Sequence, residues 1–168
     1  MKILVVSDTH FDTQELQRLL EKYANEVQLV CHLGNDAMDL LKFQHRYPNL
    51  SMAAVKGNGD FGMNIQNEIV LALNPTSNKD VEKRILLTHG HNLGVMRDSD
   101  RLAYYAREKK VDACFYGHTH IPEMRECGGV FIMNPGSPSC PRGGSKASYG
   151  IVEISDTGEI TGKLFPIA

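Results

Sequence analysis

The 168 residues are 42% hydrophobic and 23% charged, with a formal net charge of −2. This balance predicts one globular domain over residues 1–168 and no basic surface of the kind that binds nucleic acid or an anionic membrane. The four cysteines have no CxxC spacing, so we expect thiols in a reducing, cytoplasmic protein, with neither a disulfide framework nor a zinc ribbon. The apolar stretches are only as long as strands, and we expect no membrane span.

The first third of the chain alternates apolar runs with helical patterns. The runs lack polar alternation, which is typical of strands covered on both faces. A sequence that resembles a capping box, Asp12 to Glu15, begins the first helical pattern, and Pro48 ends the second. The predicted elements are strands at 2–7, 27–33 and 50–55 and helices at 12–23 and 38–43.

The remainder of the chain is richer in strands. One helix is predicted at 99–109, and the strands are predicted at 68–73, 83–88, 111–116, near Met124, and at 130–133, 149–154 and 159–165. Two mixed β-sheets with helices outside both, a four-layer αββα sandwich of the α/β class, fit this order.

Clusters of polar residues follow five of the strands. Right-handed crossovers bring the carboxyl ends of parallel strands to one edge, where open α/β sheets form their sites. Two histidines one residue apart at the end of a strand, His118 and His120, would face the same side. Imidazole and carboxylate groups together suit a divalent transition metal. The clusters are Asp8-Thr9-His10, Gly34-Asn35-Asp36, Gly57-Asn58-Gly59-Asp60, His89-Gly90-His91 and Gly117-His118-Thr119-His120.

A pair of metal ions would suit these ligands if an oxygen ligand lay between the two sets. Such a pair binds phosphate oxygens and holds a hydroxide in line with the scissile bond. The sequence has no GxSxG motif for a covalent nucleophile, so attack of water on a phosphoester is the reaction that the clusters favour.

The ordered set of motifs resembles the calcineurin-like metallophosphoesterases, from Asp8 to about Arg142. Its compactness and the segments 134–137 and 141–142 are similar to the small YfcE-type branch of bacterial and archaeal phosphodiesterases. The resemblance implies an αββα fold and hydrolysis of a small phosphodiester or phosphomonoester by a metal-bound hydroxide. It also implies two divalent transition metal ions, Mn²⁺ first with Fe, Ni or Zn as alternatives, and a homodimer or larger homo-oligomer.

The same resemblance assigns roles to individual residues. The ligands of the first metal would be Asp8, His10 and His120, and those of the second Asn58, His89 and His118. Two catalytic contributions are implied: Asp60 would orient a ligand or the bound water, and His118 would stabilise developing charge. The implied substrate contacts are Asn134, Gly136 and Ser137, which would close the pocket, and Arg142, whose guanidinium suits phosphate.

Two positions depart from the family pattern. Asn35 stands where the family has the aspartate that bridges the metals, and a neutral amide is a poor bridge, so metal affinity should fall. Asp36 would replace it if the loop shifted by one residue. Gly59 stands where many members carry a histidine that acts as general acid, which is compatible with activity on esters that have good leaving groups.

Two other functions remain open at this point. One is a protein-binding scaffold that uses the same fold, an alternative that Asn35 favours. The other is a mononuclear metal sensor or storage protein. Two further histidines have simpler interpretations: His91 is expected to line the pocket and His32 to be a buried core residue. The loops at 61–67 and 90–96 are expected to determine the substrate.

Overall fold

The computed structural model describes residues 1–168 and contains ten strands and three α-helices. The helices are α1 (Thr13–Tyr23), α2 (Met38–Leu41) and α3 (Asp100–Glu108). The strands are β1 (Lys2–Val6), β2 (Leu29–His32), β3 (Ser51–Ala54), β4 (Glu68–Leu73), β5 (Lys83–Thr88), β6 (Ala113–Phe115), β7 (Pro122–Cys127), β8 (Val130–Pro135), β9 (Ser148–Ile154) and β10 (Ile160–Pro166). None of the helices combines the length and the apolar character needed to cross a membrane.

The strands form two mixed sheets of five, as predicted. The first sheet has the order β10-β9-β1-β2-β3, in which β1, β2 and β3 are parallel and β9 runs antiparallel to β1. The second has the order β4-β5-β6-β8-β7, with β5, β6 and β8 parallel and an antiparallel strand at each edge. The carboxyl ends of the parallel strands therefore lie at one edge of each sheet.

Both faces of the central strands are buried, which explains their continuous apolar sequences. In β1, Ile3 and Val5 point into the core between the two sheets, where Phe115 of β6 also lies. Leu4 packs on the opposite face with Leu16 of α1. Burying one such side chain contributes about 1.5–3 kcal/mol. The predicted αββα layering is confirmed.

The helices cover the outer faces of the sheets. The Asp12 carboxylate accepts the Gln14 N–H at 3.1 Å and so caps α1. The predicted capping box does not close: the Asp12 N–H donates to the Thr9 carbonyl at 3.0 Å, and the Glu15 carboxylate pairs with Arg18. On the second sheet, Leu102 and Ala106 of α3 pack against a separate core cluster.

His118 and His120 follow β6 in a turn, and the prediction that both side chains face the same side is wrong. Strand β6 ends at Phe115, and both histidines adopt left-handed backbone conformations, with φ of +70° and +60°. Their rings consequently turn toward different partners instead of one side. Side chains at positive φ are strained, and such residues cluster at functional sites.

Candidate metal centre

The Asp8 carboxylate lies at the middle of the centre and is inaccessible to solvent. Its Oδ1 is 3.3 Å from His120 Nε2 and 3.9 Å from His89 Nε2. Its Oδ2 accepts hydrogen bonds from Ser7 Oγ at 2.6 Å and from the His118 N–H at 3.0 Å. One oxygen is therefore held by the protein, while the other faces histidines on two sides.

The first donor set consists of Asp8, His10 and His120, whose ligand atoms all lie within 4.8 Å of one another. His10 Nε2 and His120 Nε2 face each other at 3.2 Å. In His120 the other ring nitrogen, Nδ1, donates to the Cys140 carbonyl at 2.6 Å, so Nε2 carries the lone pair. Metal-binding histidines are commonly oriented by such a backbone contact.

The second donor set consists of Asn58, His89 and His118. His89 Nε2 is 3.0 Å from Asn58 Oδ1 and 3.2 Å from His118 Nδ1. The His89 Nδ1–H donates to the Leu33 carbonyl at 2.7 Å, which again leaves Nε2 free to act as a ligand. The structure thus brings the six predicted ligands into two groups, one that contains Asp8 and one that faces the same Asp8 oxygen through His89.

Burial keeps the second set uncharged. Burial lowers the pKa of His89 to about 4, even though Asp8 attracts its proton. Burial also lowers the pKa of His118. Burial would raise the pKa of Asp8, but its contacts with His120, His89 and Ser7 hold that pKa below its usual value. Neutral imidazoles around an ionised carboxylate are the protonation states that a divalent cation requires.

Asn35 lies beside Asp8, but its amide is turned away from a bridging role. Its Oδ1 accepts the Gly59 N–H at 2.8 Å, and its Nδ2 donates to Asp8 Oδ1 at 3.1 Å. If the amide were reversed, its oxygen would face the Asp8 carboxylate and its NH₂ group would face the Gly59 N–H. Both contacts would be repulsive, so they fix the observed orientation. In this orientation the Asn35 NH₂ group, and not its oxygen, faces Asp8 Oδ1.

Asp36 does not join either donor set. The carboxylate of Asp60 accepts the backbone N–H groups of Asn35 at 2.9 Å and Asp36 at 2.7 Å, which fixes this turn. Burial, with the nearby charges of Asp39 and Asp60, raises the pKa of Asp36. The shift of the loop that would make Asp36 a bridge is absent from this structure.

The Asp60 side chain is fully buried and holds the backbone of two neighbouring loops in place. Besides the N–H groups of Asn35 and Asp36, it accepts the Gly57 N–H at 2.7 Å. The left-handed conformations of Asn35 and Asp36, at φ of +57° and +73°, aim both N–H groups at this one carboxylate. Asp60 therefore holds the Asn35 turn in register with the loop that carries Asn58.

The segment predicted to contact substrate lies mainly behind the ligands. Asn134 is fully buried, and its Nδ2 donates to the Gly117 carbonyl at 3.0 Å; Ser137 Oγ donates to the Asp8 carbonyl at 2.8 Å. Gly136 is also buried and donates its N–H to Asn134 Oδ1. These residues support the loops that carry the ligands. Arg142 is exposed, and its charge is among those that act on His118.

A buried network that was not predicted lies beneath the first donor set. His32 Nδ1 accepts the Gly34 N–H at 3.2 Å, its Nε2 bonds to Thr9 Oγ1 at 3.1 Å, and Thr9 Oγ1 donates to Asp39 Oδ2 at 3.2 Å. The alternation in residues 8–10 was a usable signal, because Thr9 must point away from its ligand neighbours. His32 is a buried histidine with both ring nitrogens bonded, as expected.

The His32 network should make folding stability fall in acid. Burial lowers the pKa of His32 to about 4, against the attraction of Asp8, Asp60 and Asp39. The unfolded chain binds the proton first, so this contribution is complete above pH about 6.5 and is lost as the pH falls toward about 4. Between pH 7 and 5 we expect protonation of His32 to lower the free energy of unfolding, measured with urea, by about 2 kcal/mol. The variant His32→Gln should lack this decrease. The exposed His45→Gln change should leave the loss in place, and an equal pH dependence in all three proteins would contradict this assignment.

This chain is similar in sequence to phosphoesterases, and its fold is similar to those of phosphoesterases and of Vps29 proteins. The pattern of the calcineurin-like phosphoesterase superfamily domain matches residues 1–157. The probable metallophosphoesterase YsnB of Bacillus subtilis is 32% identical, over 93% of this chain and 86% of YsnB. Phosphodiesterase YfcE of Escherichia coli K12 is 30% identical, over 91% of this chain and 88% of YfcE. The structure of Vps29 from Entamoeba histolytica, complexed with Zn²⁺, aligns with a TM-score of 0.76 at 25% identity, over 98% of each chain.

Proposed function

The chain belongs to the calcineurin-like phosphoesterase superfamily, and from this we propose that it is a metal-dependent phosphodiesterase with two cation positions. The observation that carries the proposal is the pair of donor sets, one that contains Asp8 and one that faces the same Asp8 oxygen through His89. Oxygen and imidazole nitrogen together are typical ligands of divalent transition metals. The sequence identity to YfcE, a phosphodiesterase, supports hydrolysis of a phosphoester by this chain.

The residues present fit a divalent cation at each set. Asp8, His10 and His120 would hold one, and Asn58, His89 and His118 the other. The hydrogen bonds to the Leu33 and Cys140 carbonyls leave the lone pairs of His89 and His120 directed into the centre. Mn²⁺ suits this mixture of ligands, as do Fe, Ni and Zn, and the Zn²⁺ complex of Vps29 supports a transition metal. When bound, the cations would supply Lewis-acid activation of water and of the phosphoryl group.

The other residues would bind and orient the substrate. Arg142, which is exposed and whose backbone N–H donates to the His120 carbonyl at 3.3 Å, would contact a phosphate oxygen. The half-buried His118 would stabilise charge that develops on the phosphoryl group, and Asp60 would act as a positioning residue through the Asn35 turn. Since Gly59 offers no side chain to protonate a leaving group, substrates with good leaving groups should react fastest.

Asn35 would weaken cation binding. Asp8 is the only carboxylate in the two sets, so two divalent cations would meet a single negative charge. The Asn35 NH₂ group also competes for the Asp8 oxygen that faces both sets. We expect the two positions to bind cations less tightly than a centre with a second carboxylate would.

Replacing His118 by alanine tests the proposal. The variant should lose the cation held by the second set, keep the first, and hydrolyse bis(4-nitrophenyl) phosphate at least about a hundredfold more slowly. Metal analysis after gel filtration and initial rates with Mn²⁺ measure the two effects. The matched control is His45→Ala, an exposed histidine on another part of the surface. Unchanged metal content and rate in His118→Ala would refute the proposed centre.

A further inference from the structure

The two histidines of the first donor set are joined by one short segment of the chain, Ser139-Cys140. The Cys140 carbonyl accepts the His120 Nδ1–H at 2.6 Å. The Ser139 hydroxyl donates to the carbonyl of Thr9, the residue directly before His10, at 2.7 Å. The segment therefore connects the two loops whose histidine Nε2 atoms face each other at 3.2 Å.

The loop that carries His10 has a strained backbone. Asp8, His10 and Phe11 have φ of +58°, +47° and +63°. This left-handed conformation is unfavourable for residues other than glycine and persists only where the surrounding structure fixes it. The Ser139 hydroxyl reaches two carbonyls of the loop, that of Thr9 at 2.7 Å and that of Asp8 at 3.4 Å. It is therefore one of the groups that hold His10 in place.

The polar groups of this loop do not need the Ser139 hydroxyl as their partner. The Thr9 carbonyl also accepts the Asp12 N–H at 3.0 Å, and the Asp8 carbonyl also accepts the Ser137 hydroxyl at 2.8 Å. Both carbonyls would keep a hydrogen bond without Ser139, so a chain that lacks this hydroxyl should still fold. What the hydroxyl adds is a link between the two histidines of the first donor set.

The second donor set has no hydrogen bond to this segment. The His89 ring is oriented by the Leu33 carbonyl at 2.7 Å, and the His118 N–H donates to Asp8 Oδ2 at 3.0 Å. A change at Ser139 should therefore act on the first cation position much more than on the second.

We propose that Ser139 is a positioning residue whose hydroxyl holds His10 and His120 together as ligands of one cation, and so sets the affinity of the first position. Contacts that orient metal ligands in this way commonly change metal affinity by a factor of about ten to a hundred. The inference rests on the proposed metal centre and assigns to it a residue that supplies no ligand atom.

Removing the hydroxyl tests the inference. Ser139→Ala should weaken Mn²⁺ binding at one position about tenfold in a calorimetric titration, whereas Ser139→Thr, which keeps a hydroxyl, should stay within about threefold of the natural chain. Ser77→Ala removes an exposed hydroxyl from the loop after β4 and should change neither affinity. Circular dichroism establishes that each variant is folded. Equal affinities in Ser139→Ala and the natural chain would overturn the proposal.

Two further backgrounds show which position is affected. In His118→Ala, which should keep only the first cation, adding Ser139→Ala should again weaken Mn²⁺ binding about tenfold. In His10→Ala, where the first set is broken, adding Ser139→Ala should leave the remaining Mn²⁺ affinity unchanged. A merely structural role of Ser139 would weaken both positions alike, and that result would overturn the proposal.

Cation binding separates this inference from the proposed hydrolysis. If Ser139→Ala loses affinity at the first position while the natural chain hydrolyses no phosphoester, the inference stands and the proposed function fails. If the natural chain binds two cations and hydrolyses bis(4-nitrophenyl) phosphate but Ser139→Ala binds both equally well, the function stands and the inference is wrong. A natural chain that binds no Mn²⁺ would overturn both.

Discussion

Replacing Asp8 by asparagine is expected to abolish cation binding at both positions and to reduce hydrolysis by at least about a thousandfold. The two groups that donate to Asp8 Oδ2, the Ser7 hydroxyl and the His118 N–H, would donate to the amide oxygen of the new side chain. Its NH₂ group would then face both donor sets, where the carboxylate oxygen is 3.3 Å from His120 and 3.9 Å from His89. Metal analysis, calorimetric titration with Mn²⁺ and rates on bis(4-nitrophenyl) phosphate measure the loss.

The control for Asp8 is a second buried carboxylate. Asp39 is nearly inaccessible and bonds to Thr9 and Lys42, so Asp39→Asn makes the same change of charge without removing a proposed ligand. Circular dichroism shows whether each variant is folded. Asp8→Asn that is folded and still binds Mn²⁺ with unchanged affinity would contradict the central position assigned to this carboxylate.

Replacing Asn35 by aspartate is expected to increase cation affinity and hydrolysis, each by at least about tenfold. The Gly59 N–H would hold one oxygen of the new carboxylate, as it holds the Asn35 oxygen at 2.8 Å. The other oxygen would take the place of the NH₂ group, 3.1 Å from Asp8 Oδ1. Two carboxylates at this distance repel each other until a cation lies between them.

The same repulsion should lower the stability of the metal-free variant, although it raises the affinity for cations. Without metal, Asn35→Asp should melt at a lower temperature than the natural chain, and saturating Mn²⁺ should raise its melting temperature by more. Asn25→Asp adds the same charge at an exposed position and controls for net charge. If Asn35→Asp matched the natural chain in metal content, rate and metal-dependent stabilisation, the amide orientation would have no bearing on the centre.

The fold was predictable because the central strands, which are buried on both faces, have continuous apolar sequences. Ile3 and Leu4 point into different cores, and a strand covered on both faces has no polar alternation to maintain. The clusters at Asp8, His89 and His120 were predictable as one centre because parallel strands bring their carboxyl ends together. The left-handed turn at His118 was not predicted, because the two histidines after the strand at 111–116 were given the side-chain geometry of a strand.

The orientation of the ligands could not be predicted from the sequence. The lone pairs of His89 and His120 are set by the carbonyls of Leu33 and Cys140, and every residue type has a carbonyl. The direction of the Asn35 amide depends on the Gly59 N–H, a backbone group from another loop. The support given by Asn134 follows from its burial, which a polar residue in a glycine-rich segment does not indicate.

Hydrolysis of bis(4-nitrophenyl) phosphate by the natural chain, measured with its metal content, tests the central claim most directly. The protein is stripped with a chelator, and the rate is followed as Mn²⁺ is added back. We expect no activity in the stripped protein and restored hydrolysis as bound Mn²⁺ approaches two per chain. Absence of bound metal and of hydrolysis in both the natural chain and Asn35→Asp would contradict the phosphodiesterase proposal and favour a scaffold that binds a protein partner.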